Sequence, residues 1–135
     1  MFDTKVAILV RDDLAAWQKL NVTAFLATGI AGEAPEAMGE PYLDAEGRRF
    51  ARLLGQPILI FSSDAKALLR AHRVAGEEGL ACAAYVQAMF STGHDAANRE
   101  VFAAEPAQAP DLVGVAIRGA KKAVDKAVKG ARLHP

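Results

Sequence analysis

The sequence contains one cysteine, no surplus of either charge, few aromatic residues, and no apolar run approaching the roughly 18 residues that span a bilayer. Each scarcity removes a class of protein. Cys82 alone cannot close an internal disulfide. Within Gly79-Leu80-Ala81-Cys82-Ala83-Ala84-Tyr85-Val86 it reads as a small buried hydrophobe, with no fixed charge nearby to activate the thiol. Sixteen Lys and Arg balance sixteen Asp and Glu, which excludes binding to nucleic acid or acidic membranes by net charge alone. Asp3 and Lys5 interrupt the start of the chain where a secretion signal needs an unbroken apolar segment, so a cytoplasmic location with no membrane partner is expected. Also missing are the phosphate loop G-x-x-x-x-G-K-[ST], the G-x-G-x-x-G turn, the G-x-S-x-G elbow and H-E-x-x-H. The histidines His72, His94 and His134 are too far apart in sequence for a local ligand set, and one cysteine supplies no zinc cage. No metal or other cofactor is expected.

What is present is 135 residues, 52% of them hydrophobic, enough for one domain over residues 1–135 with a real core. Lys5-Val6-Ala7-Ile8-Leu9-Val10 is a nearly continuous apolar run and reads as a strand buried on both faces. Trp17 to Ile30 follows as a helix, with Asn21 either its N-cap or a polar residue inside it. Residues 32–49, rich in Gly, Pro and acidic side chains, read as a loop or a short turn-bounded strand at Tyr42-Leu43-Asp44. Gln56 to Phe61 repeats the buried-strand pattern. Ser62-Ser63-Asp64 then offers cap chemistry for a helix from Ala65 to Glu78, which Gly79 closes and which holds His72 as a partly buried residue. A third strand over Ala81–Val86, a short helix over Asp95–Ala104, a fourth strand over Leu112–Arg118 and a helix over Ala120–Arg132 complete an α/β layered pattern.

In open α/β sheets, ligands gather beyond the carboxyl ends of parallel strands. That rule selects Arg11-Asp12-Asp13 with Lys19 and Asn21, then Ser62-Ser63-Asp64, then Ser91-Thr92-Gly93-His94-Asp95 with Asn98-Arg99. The last is the densest polar cluster in the chain. Its bland reading is an Asp95 to Arg99 ion pair and a helix capped by Asp95 or Thr92. Its functional reading has Thr92, His94 and Asn98 facing a ligand, with His94 able to move protons near neutral pH. The segment from Arg118 to Pro135 holds six basic residues and one acidic, so the C-terminal helix presents a basic face, either solvated or set against RNA phosphate.

Two stretches carry a family resemblance. Val6-Ala7-Ile8-Leu9-Val10-Arg11-Asp12-Asp13-Leu14, with Lys19 behind it, resembles the opening of peptidyl-tRNA hydrolase type II. Trp17-Gln18-Lys19-Leu20-Asn21-Val22 and Phe90-Ser91-Thr92-Gly93-His94-Asp95-Ala96-Ala97-Asn98-Arg99 are similar to the bacterial domain of unknown function 2000, over nearly the whole chain. The resemblance implies a three-layer α/β/α sandwich around a mixed four-stranded sheet and a homodimer. It also implies that Lys19 matches the hydrolases' lysine and Ser91 or Thr92 their threonine, while Gln87 or Ala88 stands where their aspartate belongs. Two functions are therefore expected in competition. One is a ligand- or partner-binding module using Asp13, Asn21, Ser91 and Asn98 at the strand ends. The other is a hydrolase of peptidyl-tRNA or a related ester using Lys19, Thr92, His94 and Asp95.

Overall fold

The first apolar run becomes the middle of a sheet because both of its faces find cover. In a computed structural model of the chain, which describes residues 2–135, β1 (Thr4–Arg11) pairs in parallel with β4 (Ile58–Ser63) and antiparallel with β6 (Leu112–Ala120). β5 (Ala81–Val86) and β7 (Arg132–Leu133) take the two edges, giving the order β5-β6-β1-β4-β7. Alternation along β1 sorts its side chains to opposite faces. Val6, Ile8 and Val10 meet Val22, Leu26 and Ile30 of α1 (Ala16–Glu33) on one face. Ala7 and Leu9 meet Leu68, Val74 and Val124 on the other, under α2 (Ala65–Glu78) and α4 (Lys121–Ala127). The result is three layers, with α3 (Asp95–Ala103) set beyond the carboxyl end of β5. Among the described residues no helix is long and apolar enough to cross a membrane.

The sheet has five strands rather than the expected four. The expected C-terminal helix over 120–132 ends at Ala127, the chain reverses at Gly130 in the left-handed region (φ 92°), and Leu133 and Arg132 pair with Phe61 and Ser62. The outer edge of β4 would otherwise leave its backbone groups unpaired, and the last residues satisfy part of it, including a bond from His134 N–H to the Ile60 carbonyl. The basic residues of this segment are thus divided among α4, the turn that holds Lys129, and β7, with Lys126 held by Glu78 at 3.1 Å.

Three local expectations also change. Helix α1 starts at Ala16, with the Ala15 N–H bonded to Gln18 Oε1, so Asn21 lies inside the helix and is not its cap. The loop segment contains the hairpin β2 (Tyr42–Leu43) and β3 (Arg49–Phe50). Its turn is organised by Asp44, whose carboxyl is held below its usual value chiefly by the Arg48 backbone N–H, with the Glu46 N–H and the Arg48 side chain adding to it. Cys82, on an edge strand, is exposed and not part of the core.

Helix α2 spans the expected residues because both ends carry their own stop signals. Asp64 accepts a hydrogen bond from Ala67 N–H at 2.8 Å, and Gly79 takes the left-handed conformation that terminates the helix. Asp64→Ala is expected to cost about 1 kcal/mol, the usual value of a lost N-cap, and to lower Tm by roughly 4 °C for a domain of this size. Thermal denaturation followed by circular dichroism measures it.

Candidate functional site

The site is assembled where β5 ends. A 3₁₀ turn over Gln87–Ser91 continues from Val86, brings Met89 and Phe90 under α1, and delivers Thr92 and His94 to the start of α3. His94, and not Asp95 or Thr92, caps that helix: its Nδ1 accepts from Ala97 N–H at 3.2 Å. An acceptor nitrogen carries no proton, so the neutral ring holds its proton on Nε2. Asp95 pairs with Arg99 at 2.5 Å in an exposed i, i+4 bridge, as in the bland reading of the sequence. Thr92 Oγ1 lies within hydrogen-bond reach of both the Met89 carbonyl and the Asn98 side-chain amide. A hydroxyl has one proton to give. The Asn98 atom facing it is Oδ1, so the Asn98 NH₂ group is the one left to donate.

Opposite these polar groups stand aromatic rings. Trp17 meets Phe90 edge-on with centroids 5.9 Å apart, Phe90 lies 5.4 Å from Tyr85, and Tyr85 lies 6.1 Å from Phe25. Tyr85 is 6% exposed, and burial pushes its phenol above the usual value, which favours the neutral hydroxyl. Between rings and polar groups lies a cavity of about 250 Å³ lined by Trp17, Asn21, Phe90, Thr92, His94 and Asn98 among others. A second cavity of about 360 Å³ adjoins it, sharing Phe25, Tyr85, Met89 and Asn98 and reaching Arg99 and Phe102. Helix geometry explains the α1 contribution: Trp17, Asn21 and Phe25 follow at i, i+4 and i+8 and share one flank.

Lys19 is two residues from Trp17 and Asn21, about 200° around the helix. It lies on the other flank, in a separate groove of about 450 Å³ with Leu20, Ala24, Ile60 and His134. Its Nζ is 3.3 Å from His134 Nε2. The structure therefore brings Asn21, Thr92, His94 and Asn98 together and leaves Lys19 apart from them. Asp13 is exposed and bonded to Arg11 Nε at 2.7 Å, and Ser91 is exposed on the 3₁₀ turn. Neither lines the aromatic groove. Gln87 accepts from Arg11 Nη2 at 3.1 Å. Among the described residues no three His, Cys, Asp or Glu side chains gather as metal ligands. Tyr85, Phe25 and Phe90 were missed as site residues because apolar positions in a strand and a helix read as core; the i, i+4, i+8 spacing on α1 was the available signal.

A five-stranded mixed sheet between helical layers, with an aromatic groove beyond one edge strand, defines a small α/β protein. The chain belongs to the family described as "Protein of unknown function (DUF2000)", whose model matches residues 4–135. It is similar to the solved structure of a protein of unknown function, Atu0240 from Agrobacterium tumefaciens strain C58, at 48% identity over 100% of both chains with a TM-score of 0.96. No curated protein matches the chain.

Proposed function

We propose that the protein is a binding module for a small planar molecule with an apolar face and a hydrogen-bonding edge, such as a heteroaromatic ring. The observation that carries this reading is the run of four rings, Trp17, Phe90, Tyr85 and Phe25, facing the Thr92, His94 and Asn98 polar groups across one groove. Ligand pockets are mostly apolar surfaces with a few placed polar groups. Here the rings supply stacking surface, and His94 Nε2 and the Asn98 NH₂ group supply donors. Binding of this kind belongs to the carboxyl-end region of the sheet, where β5 and the following turn meet α1 and α3.

The competing reading, hydrolysis of peptidyl-tRNA or a related ester in a peptidyl-tRNA hydrolase type II-like fold, needs Lys19 and Thr92 at one bond. Their placement on opposite flanks of α1 favours binding over hydrolysis, as does the engagement of Gln87 with Arg11 where those enzymes' aspartate belongs. RNA contact through Lys121, Lys122 and Lys129 belongs to that competing reading.

Trp17 is the one tryptophan of the chain and it lines the groove, so its emission reports occupancy. Titration with purine and pyrimidine bases, nucleosides and other heteroaromatic compounds is expected to give a saturable emission change with at least one of them. Asn98→Ala and Phe90→Ala should each weaken binding by about tenfold, the equivalent of roughly 1.4 kcal/mol. No change with any compound at millimolar concentration would overturn the proposal. Turnover of peptidyl-tRNA by wild-type protein, lost in Lys19→Ala and His94→Ala, would replace it with the hydrolase.

A further inference from the structure

The groove around Lys19 carries a charge that the chain does not balance. Its floor includes Val10 of β1 and Ile60 of β4, the two strands that pair in parallel. Ligands of α/β sheets gather toward the carboxyl ends of parallel strands. Leu20 and two alanines of α1 complete the apolar wall. Leu20 is 72% exposed, so the wall continues into a rim of apolar surface that nothing in the chain covers. Polar atoms enter from three side chains, Lys19, Thr23 and His134. Lys19 and Thr23 are spaced i, i+4 and share one side of α1.

His134 reaches the groove because the last strand is added to the edge of β4. Its backbone N–H is bonded to the Ile60 carbonyl, next to the pairing of Leu133 with Phe61. Its Nε2 stands 3.3 Å from Lys19 Nζ. An ammonium only donates, so Nε2 is the acceptor and the ring proton sits on Nδ1, which faces the Pro135 carbonyl at 3.0 Å. The imidazole in this arrangement is neutral. It directs the ammonium and does not cancel its charge. Lys19 has no carboxylate partner among the ion pairs of the described residues. A half-buried cation beside an apolar wall, where the dielectric is low, attracts an anion more strongly than the same cation in open water.

We infer that this groove binds a small molecule with an apolar body and a single carboxylate, of the kind a medium-chain fatty acid represents. The carboxylate takes the Lys19 ammonium and the Thr23 hydroxyl as donors, and the apolar body lies along Leu20, Val10 and Ile60. One fixed charge and one hydroxyl suit a carboxylate, whereas a phosphate dianion calls for more donors than these. The volume of about 450 Å³ falls in the range of small-ligand pockets and, at roughly 30 Å³ for each group of water size, holds about fifteen of them. No phenyl or indole ring lines this groove, so its ligand differs in kind from that of the groove between Trp17 and Phe90.

Calorimetric titration of the full chain with octanoate tests this, with 1-octanol as the uncharged match and backbone amide shifts in proton–nitrogen correlation spectra as the map. Octanoate is expected to bind saturably at millimolar concentration or below, at least tenfold more tightly than 1-octanol, and to shift Lys19, Thr23, Ile60 and His134. Lys19→Met keeps the aliphatic stem and removes the charge. It should weaken octanoate at least tenfold, the loss of one charge-assisted hydrogen bond, and leave 1-octanol unchanged. Ala24→Phe, at an exposed position in the groove wall, should fold normally by circular dichroism and weaken both compounds. No saturable octanoate binding overturns the inference, and so does a Lys19→Met variant that binds octanoate as the wild type does or loses both compounds equally. Shifts confined to Trp17, Asn21, Phe90 and Asn98 also overturn it, because octanoate then occupies the aromatic groove. The heteroaromatic titration reads that other groove through Trp17, so the two readings fail separately.

Discussion

Gly114→Val should be strongly destabilising, costing about 3 kcal/mol, at the upper end of ordinary overpacking, and lowering Tm by roughly 12 °C. A Cβ at Gly114 would lie 2.5 Å from Val22 Cγ1, 3.0 Å from Leu26 Cδ1 and 3.3 Å from the Leu9 carbonyl oxygen. None of these can move cheaply. Val22 is β-branched and fully buried, Leu26 is 3% exposed, and Leu9 O is backbone in the central strand. Gly119 on the same strand is the natural control. Its Cβ would come still closer to an atom, but that atom is Leu80 Cδ2, the end of a flexible side chain. Gly119→Ala should therefore cost under about 1 kcal/mol, because a rotamer change relieves the clash. Thermal or urea unfolding of the two variants distinguishes them, and equal losses would show that close backbone approach is not what Gly114 provides. The consequence reaches the site. Gly114 and Gly29 let α1 lie close on β6 and β5, and that closeness sets where Trp17, Asn21 and Phe25 stand. Gly114→Ala, the milder change, should fold and still shift the Trp17 emission.

How much of this was legible in the sequence depends on the range of the interactions responsible. Helix α2 was read to the residue because Asp64 and Gly79 act on the backbone within one turn. Strand β5 was read equally well from its apolar run. The fifth strand was not, because nothing in Arg132-Leu133 is strand-like until an open edge of β4 lies beside it. The five-strand count is a tertiary fact. The same holds for α1, whose first turn lacks a capping side chain and is fixed by Gln18 reaching back to Ala15 N–H. In the site, the polar cluster from Thr92 to Asn98 stood out by composition. Its aromatic wall did not, since Phe25 and Tyr85 obey the same periodicity as the core beneath them. Lys19 was grouped with Thr92 by proximity to a strand end, whereas its angular position on α1 places it with Leu20 and His134.

Arg11→Met should produce the second large effect, about 2 kcal/mol, and the reason lies in which of its partners are wet. The guanidinium, with its side chain 16% exposed, donates to Asp13 at 2.7 Å, to Asp111 at 3.2 Å, to the Leu112 carbonyl at 3.2 Å and to Gln87 Oε1 at 3.1 Å. The two carboxylates are about two-thirds exposed and rehydrate when the arginine is lost, so they account for little of the cost. The Leu112 carbonyl and the Gln87 amide oxygen are partly buried; each loses a bond to a charged donor, nominally worth about 1.5–3 kcal/mol, and water reaching these half-open acceptors together with the packing of the methionine brings the net loss to about 2 kcal/mol. Asp13→Asn is the matching variant. It removes one exposed charge and leaves the buried acceptors satisfied, so its cost should stay below about 0.5 kcal/mol. Gln87 also opens the 3₁₀ turn that carries Met89 and Phe90 to the groove. Arg11→Met should therefore change Trp17 emission and weaken any ligand of the aromatic groove, while Asp13→Asn should do neither. If both variants melt together near the wild type, Arg11 is only a surface ion pair, and the placement of Phe90 must come from the backbone bond between Gln87 N–H and the Asp111 carbonyl alone.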